Sequence, residues 1–376
     1  MKWQWLSHAI RQRNGRAILV ESGLMRVLIA TDAWHPQVNG VVRTLTSLAR
    51  AAGALGATID FLSPEGFRSV PVPTYPGLRL ALPSRQQIAW RIEQAKPDAI
   101  HIATEGPIGH MVRAYCRMRG RPFTTSYTTR FPEYISARAP IPEAWIYAAL
   151  RRFHAAAAVT MVATPSLMAE LEQRGFTNLG MWTRGVDTNL FRPNGTTDLG
   201  LPRPIFLSVG RIAVEKNLEA FLSLKLPGTK VIIGAGPQEP DLKCRFPDAR
   251  FLGLLENGAL AAHLAAADVF VFPSRTDTFG VVQLEALASG VPIAAYPVTG
   301  PKDVIGDNPV GVLNEDLGAA CLQALRVSRE ACRAFALNHS WENSARQFLG
   351  HIQKVTDCRC RVTSAGIAIT ATATGR

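Results

Sequence analysis

The chain alternates short apolar runs with segments of helical periodicity, and it does so twice. Val27-Leu28-Ile29-Ala30, within Arg26–Thr31, is an unbroken apolar run that ends in polar residues, the pattern of a strand buried on both faces. Val41–Gly53 follows with Leu45, Leu48 and Ala52 on one helical face. Thr58–Leu62, Asp98–Ala103, Phe123–Tyr127 and Val159–Ala163 read as further strands, with a helix predicted over Pro107–Arg119. The pattern starts afresh at Pro204–Gly210 and runs through Lys230–Gly234, Ala249–Gly253, Asp268–Pro273 and Val291–Ala295. Such alternation predicts an α/β protein with two parallel, doubly wound sheets. Arg184–Gly195, rich in Gly, Asn, Asp and Pro, suits the connection between them. The expected domains are 25–190 and 196–340, with a cleft between the carboxyl ends of their strands, where open parallel sheets bind ligands.

A length of 376 residues accommodates two such domains, and 47% hydrophobic residues exclude a disordered chain. No apolar run approaches the ~18 residues of a membrane-spanning helix. The cysteines form no Cys-x-x-Cys pair, so zinc is not expected and reduced thiols in a cytoplasmic protein are. Residues 1–24 carry Arg11, Arg13 and Arg16 without a sustained apolar core, which does not fit a signal peptide. They are expected to be an upstream start or a loose arm before Met25, the alternative being an amphipathic anchor built on Trp3, Trp5, Leu6 and Ile10. Residues 357–376, rich in Ala, Thr and Gly, are predicted to be a disordered tail.

Charge adds an asymmetry. Residues 1–195 hold 23 of the 41 Lys and Arg but only 12 of the 29 Asp and Glu, so they carry nearly all of the net +12. Arginine is densest between Met111 and Arg152, against only Glu133 and Glu143. Such a surface attracts phosphorylated substrates or anionic lipid headgroups, unless it is the solvated face of an arginine-rich protein. Nucleic acid is not expected, because no recognition motif accompanies the charge.

Three strand-to-helix loops carry candidate chemistry. In Phe272–Pro292, Asp277 lies in a polar loop ahead of a helix and Glu285 about two turns inside it. The helix end at Thr278-Phe279-Gly280 can meet an anion, and the carboxylates can accept hydrogen bonds from sugar or ribose hydroxyls. Spacing alone fits a helix cap at Asp277 and a solvated Glu285 at least as well. In Ser208–Asn217, Gly210 precedes Arg211 and Lys216, two cations able to converge on a diphosphate, though alone they read as surface charges. In Thr31–Thr44, Asn39-Gly40 closes a loop in which backbone can approach a ligand. Gly234-Ala235-Gly236 lacks the third glycine of a dinucleotide fingerprint.

Together these segments resemble the signature of retaining glycosyltransferases of family 4, over roughly Met25 to Ile352. Asp277 and Glu285 match the family's paired acids, with Asp where Glu is commoner. That choice resembles the branch of mannosyl- and sulfoquinovosyl-lipid synthases. The resemblance implies a GT-B fold, two Rossmann-like domains facing a cleft, with a nucleotide sugar on the second and the acceptor on the first. It implies catalytic roles for Arg211, Lys216 and Asp277, and donor contacts from Gly40, Gly210, Thr278, Phe279, Gly280 and Glu285. Arg211 and Lys216 would hold the departing diphosphate, Asp277 would orient the sugar, and Glu285 would engage the ribose. No metal is required on that account.

One segment departs from the family. Thr124–Tyr134 has Thr128 where relatives usually carry a histidine near the reacting sugar, so no imidazole is expected there, although the backbone carbonyl remains. Acceptor-side candidates are Asn39, His101, Tyr127, Thr128 and Arg130, His101 being as compatible with a packed residue. Ser340-Trp341-Glu342 opens a helix, 341–356, that in this fold crosses back onto the first domain. The expected activity is transfer of a hexose from GDP-mannose or a UDP-hexose to a membrane glycolipid, at the inner face of the cytoplasmic membrane. A hydrolysing nucleotide-sugar epimerase on the same fold and a non-catalytic anion or membrane binder are the alternatives. Thr128 argues against the first, and the intact donor motifs against the second.

Overall fold

The computed structural model describes residues 11–13, 16–18, 24–35, 40–72, 75–136, 140–193, 197–255 and 257–371. A short antiparallel pair, β1 (Arg11–Arg13) and β2 (Arg16–Ile18), precedes the first large unit. That unit runs β3 (Met25–Ala30), α1 (Gly40–Ala54), β4 (Ala57–Leu62), the hairpin β5 (Ser69–Val72) and β6 (Tyr75–Ala81), α2 (Arg85–Ala95) and β7 (Ala99–Ile102). It continues through α3 (Pro107–Met118), β8 (Thr124–Ser126), α4 (Phe131–Ser136), α5 (Glu143–His154), β9 (Val159–Val162), α6 (Pro165–Gln173) and β10 (Leu179–Met181). The second unit runs β11 (Ile205–Val209), α7 (Leu218–Leu222), β12 (Thr229–Ile233), α8 (Glu239–Arg245), β13 (Arg250–Phe251), α9 (Asn257–Ala266) and β14 (Val269–Phe272). It closes with α10 (Val281–Ala288), β15 (Ile293–Ala295), α11 (Pro301–Ile305), β16 (Gly311–Leu313), α12 (Leu317–Ala324), α13 (Arg329–Leu337) and α14 (Trp341–Ala371).

Each unit is built on a six-stranded parallel sheet, in the orders β10-β9-β8-β7-β3-β4 and β13-β12-β11-β14-β15-β16. The central strands, such as β3, β11 and β14, are buried on both faces, which is why they read as apolar runs and not as alternating patterns. The strand order reverses between β3 and β7 in the first sheet and between β11 and β14 in the second. At such a switch point the flanking connections leave toward opposite faces and open a crevice at the carboxyl ends of the strands. The loops that follow β3, β11 and β14 are the three motif-bearing segments of the sequence. The topology therefore collects them at the switch points.

The end of the chain returns to the first unit. Ala345, Phe348 and Ile352 of α14 share a core with Val27, Ile29, Leu45, Leu48 and Trp182. Trp182 Nε1 donates to Ser344 Oγ at 3.0 Å, and Ser344 Oγ donates in turn to the Thr183 carbonyl at 2.7 Å. The helix was expected to stop at 356 and give way to a disordered tail, but it continues unbroken to Ala371. Residues 357–371 contain no proline and several alanines, so the composition that suggested disorder also sustains a helix. At the other end, β1 and β2 give local order to part of the expected loose arm. The proposed anchor residues Trp3, Trp5, Leu6 and Ile10 lie outside the described residues, as do 372–376. Among the described residues no helix is long and apolar enough to cross a membrane.

Candidate active site

The loops after β11 and β14 are fastened together. Lys216 Nζ donates to both Asp277 carboxylate oxygens at 2.7 Å. Asn217 Nδ2 donates to the Pro273 carbonyl at 3.1 Å, and Ser274 Oγ to the Glu215 carbonyl at 3.1 Å. Asn217 sits at φ 51°, a left-handed conformation that asparagine tolerates better than most residues. The Glu215-Lys216-Asn217 sequence thus has a local cause: the turn needs Asn217, and the turn aims Lys216 at Asp277. The Gly234 loop supports this arrangement from behind, since a Cβ there would lie 1.8 Å from the Gly210 carbonyl oxygen. Gly234 and Gly236 serve close packing of loop on loop, not a dinucleotide. Gly210 itself faces open space, and Arg211 is exposed beside it.

Gly280, at φ 77°, is the N-cap of α10. A Cβ there would meet Phe272 Cζ at 2.6 Å, so the sharp entry into the helix depends on glycine. Phe279 is buried, and α10 is packed on all sides, with Gln283, Leu284, Glu285, Ala286, Leu287 and Ala288 all buried. Glu285 lies little more than one turn into the helix, not two. Nor is it solvated: it is 3% exposed. Burial pushes its pKa up, and Arg43 on α1 pulls it back down. Arg43 Nη2 reaches Glu285 Oε1 at 2.7 Å, while Oε2 is buried without a hydrogen-bond partner among the described residues. A carboxylate held from the opposite domain, with one oxygen unspent, suits a ligand hydroxyl.

Two further contacts cross between the units. Thr278 Oγ1 donates to the Thr128 carbonyl at 3.0 Å, and Ser166 N donates to Asp303 Oδ1 at 2.9 Å. The Thr128 carbonyl, expected to remain available, is therefore occupied by the loop that carries Thr278. The Thr128 hydroxyl lies 3.4 Å from the Ala103 carbonyl. Gly40 opens α1, and a Cβ there would meet nothing within 4 Å; Asn39 lies outside the described residues.

The remaining acceptor-side candidates turn inward. His101 is fully buried, with its ring nitrogens 2.9 Å from Thr124 Oγ1 and 3.2 Å from Ser126 Oγ. Burial, then the charges of Arg184 and His154, depress its pKa to about 3, so it is a neutral packed imidazole. Tyr127 is 0% exposed in an apolar cluster with Tyr147 and Leu167. Arg130 is buried between Glu133 and Glu170, at 2.8 and 2.7 Å. Burial opposes its charge, and the hydrogen bonds and charges of the two acids more than reverse that. These three residues support the loop that carries Thr128 and do not face the cleft.

Sequence reasoning missed Asp32. Its carboxylate accepts from Ile108 N at 2.8 Å, Gly109 N at 3.3 Å and Thr104 Oγ1 at 2.9 Å, capping α3 from a neighbouring strand end. Gly106, the local N-cap, has no side chain to offer, and a Cβ there would strike Asp32 at 2.4 Å. The buried Glu105–His154 pair, 3.0 Å apart, was also unforeseen. Among the described residues, no group of three His, Cys, Asp or Glu side chains is arranged to hold a metal ion.

Comparison with known proteins agrees with this geometry. The model of glycosyl transferases group 1 matches residues 203–327, and that of glycosyltransferase family 4 matches residues 38–190. The chain is 34% identical over 270 residues to the sulfoquinovosyl transferase of Arabidopsis thaliana, covering 65% of this chain but only about half of that protein, 52%. It is 28% identical over 367 residues to a GDP-mannose-dependent alpha-mannosyltransferase of Mycobacterium tuberculosis, covering 88% of this chain and 97% of the relative. Identity to the alpha-monoglucosyldiacylglycerol synthase of Acholeplasma laidlawii is 26% over 328 residues, 72% of this chain and 79% of the relative. Sucrose-phosphate synthase from Thermosynechococcus elongatus superposes with a TM-score of 0.73 at 18% identity, over 89% of this chain and all of that one, which bears on fold alone. With both domain models matched in order, the loops of both switch points in place and a GT-B architecture, the chain belongs to the family 4 glycosyltransferases.

Proposed function

We propose that this glycosyltransferase moves a hexose from GDP-mannose or a UDP-hexose, with retention of anomeric configuration, to a membrane glycolipid acceptor of the diacylglycerol type. The observation that carries the reading is the convergence of Lys216, Asp277 and the half-satisfied Glu285 at the β11/β14 switch point. Glu285 Oε2 would accept from a ribose hydroxyl, and Asp277 from the sugar. Lys216, already neutralised by Asp277, would share its charge with the donor diphosphate beside Arg211. As the bond from the anomeric carbon to the diphosphate oxygen breaks, these cations and the N-terminal end of α10 meet the growing negative charge. The acceptor oxygen bonds to the same face of that carbon, and its proton passes to the leaving phosphate. The inward-turned His101 and the threonine at 128 favour this route over one needing an imidazole base. Fixed cations take the role a divalent metal plays in other transferases.

The mannosyl and diacylglycerol relatives and the basic first domain support the donor and acceptor classes. Incubation with radiolabelled GDP- and UDP-sugars, with and without a lipid extract, tests the whole reading. Label should enter the lipid phase with one nucleotide class, and anomeric analysis should find the donor configuration retained. Label in free sugar alone would indicate hydrolysis, and an inverted product would reject the proposed stereochemistry.

A further inference from the structure

Helix α5 presents two unlike faces. Tyr147, Leu150, Phe153 and His154 are buried against the first domain. On the other side Trp145, Ala148, Ala149 and Arg152 follow one another at helical spacing, and all four are exposed. Trp145 is 72% exposed, and Ile141 and Pro142, just before the helix, are exposed as well. Among the described residues, no ring or cation contact is made by this outward tryptophan on its alanine stripe. Glu143, the one acid of the helix, sits in the first turn, where it complements the helix dipole.

The stripe ends in a cluster of cations. Arg152 lies about 10 Å along the helix from Trp145. Arg113 on α3 donates through Nε to the Phe153 carbonyl at 2.9 Å and through Nη2 to the Arg152 carbonyl at 2.8 Å. These bonds fix a second guanidinium at the end of α5. Burial, then the charges of Arg117 and Arg152, lower the pKa of Arg113, which places the three cations within electrostatic reach of one another. None of the three makes an ion pair among the described residues. Arg117 is exposed, and its neighbour Met118 is 66% exposed. Like charges held together without an acid between them favour an external anion.

From this juxtaposition we infer that the outward face of α5, continued by Arg113 and Arg117 of α3, is the surface by which the protein docks on an anionic bilayer. Trp145 and Ile141 enter the headgroup boundary, and Arg152, Arg113 and Arg117 pair with lipid phosphates. An amphipathic ring suits the interface, where one side is apolar and the other wet. The inference rests on the membrane-acceptor reading and adds to it a location. α5 lies in the same unit as the loop in which Thr128 meets Thr278, separated from it by α4, so docking here places the first domain on the bilayer.

The test is co-sedimentation with phosphatidylcholine vesicles with and without about 30% phosphatidylglycerol, at low and at physiological salt. The wild-type protein should bind the anionic vesicles and weaken with salt. The pairs Ile141→Ser with Trp145→Ser, and Arg117→Glu with Arg152→Glu, should each lower partitioning about tenfold or more. The pair Leu325→Ser with Arg326→Glu, an exposed Leu-Arg site on the second domain, should not. Retained nucleotide binding and turnover of a detergent-soluble acceptor establish that each variant is folded. Vesicles with brominated acyl chains should quench wild-type tryptophan fluorescence, and Trp145→Phe should abolish most of that quenching. Wild-type binding that survives both α5 pairs would overturn the surface while leaving the lipid acceptor intact. No binding to anionic vesicles at low salt would overturn the docking itself, and lipid labelling in detergent would then decide separately on the acceptor. Sensitivity to charge reversal without quenching would make this a soluble-anion site and reject the bilayer.

Discussion

Arg43→Met removes the counter-ion of a buried carboxylate without adding bulk. At 2.7 Å the attraction between Arg43 and Glu285 is about 6 kcal/mol at an effective dielectric of ~20 and about 1.5 kcal/mol in water. The Glu285 side chain is 4% exposed and that of Arg43 36%, so the pair lies between those limits. A loss of about 2–3 kcal/mol is expected at pH 8, much of it the cost of leaving a charge buried alone. The pH dependence follows from the direction of the shift. Burial already raises the Glu285 pKa in the folded state, and losing Arg43 raises it further. Between the unfolded and the folded pKa the native state then holds more protons than the unfolded one, so stability falls as pH rises through that window. Urea unfolding should therefore show the deficit of Arg43→Met shrinking from pH 8 toward pH 5. Glu285→Gln should remove most of it, since the glutamine needs no counter-ion. Nucleotide affinity should fall about tenfold in Arg43→Met and recover partly in Arg43→Lys. A deficit that is independent of pH and unchanged in the Glu285→Gln background would refute the pairing.

Arg211→Ala and Lys216→Ala should each cost on the order of 10²-fold in turnover while the protein stays folded by circular dichroism; full activity in both would reject their role at the diphosphate. Activity should survive EDTA, and Asp277→Ala should lose discrimination between donor sugars; strict dependence on Mg²⁺ or Mn²⁺, restored after chelation, would contradict the fixed-cation account. His101, neutral until about pH 3, destabilises the native state as pH falls below the ordinary imidazole range, by about 2 kcal/mol at pH 5. His101→Gln should flatten the stability profile between pH 7 and pH 5 in chemical unfolding, and an unchanged slope would mean that His101 is protonated in the fold.

The central strands were legible because they are apolar runs buried on both faces, and the structure trims the expected bounds by a residue or two, as at Ala99–Ile102 and Thr124–Ser126. α2 escaped notice although its start is written in the chain: Ser84 and Gln87 form a capping box, with Gln87 N donating to Ser84 Oγ at 3.2 Å. The hairpin β5–β6 was hidden by Pro71, Pro73 and Pro76, which argue against strands in the middle of a sheet. Being a separate two-stranded piece, it can hold them.

The site divides along the same line. Lys216 and Asp277 were picked out by the family resemblance and not by spacing, and the structure supplies a local cause for each loop, the left-handed Asn217 in one and the cap glycine Gly280 in the other. What spacing could not supply is orientation across the cleft. Glu285 on a helix face reads equally as solvated or buried until Arg43, on another domain, is seen against it. His101, Tyr127 and Arg130 stand at strand ends and loops where cleft residues are expected, yet each finds its partners within its own domain: hydroxyls of β8 for His101, apolar side chains for Tyr127, two acids for Arg130. With the imidazole inward and a threonine at 128, no titrating base of the first domain among these candidates reaches the donor side. On the proposed reading the chemistry falls to charges held within the second domain, Lys216 on Asp277 among them, while the first domain contributes Arg43, which holds Glu285, and the Thr128 carbonyl, which holds Thr278. Both contacts join the two units, so on the proposed reading the donor site draws on both domains.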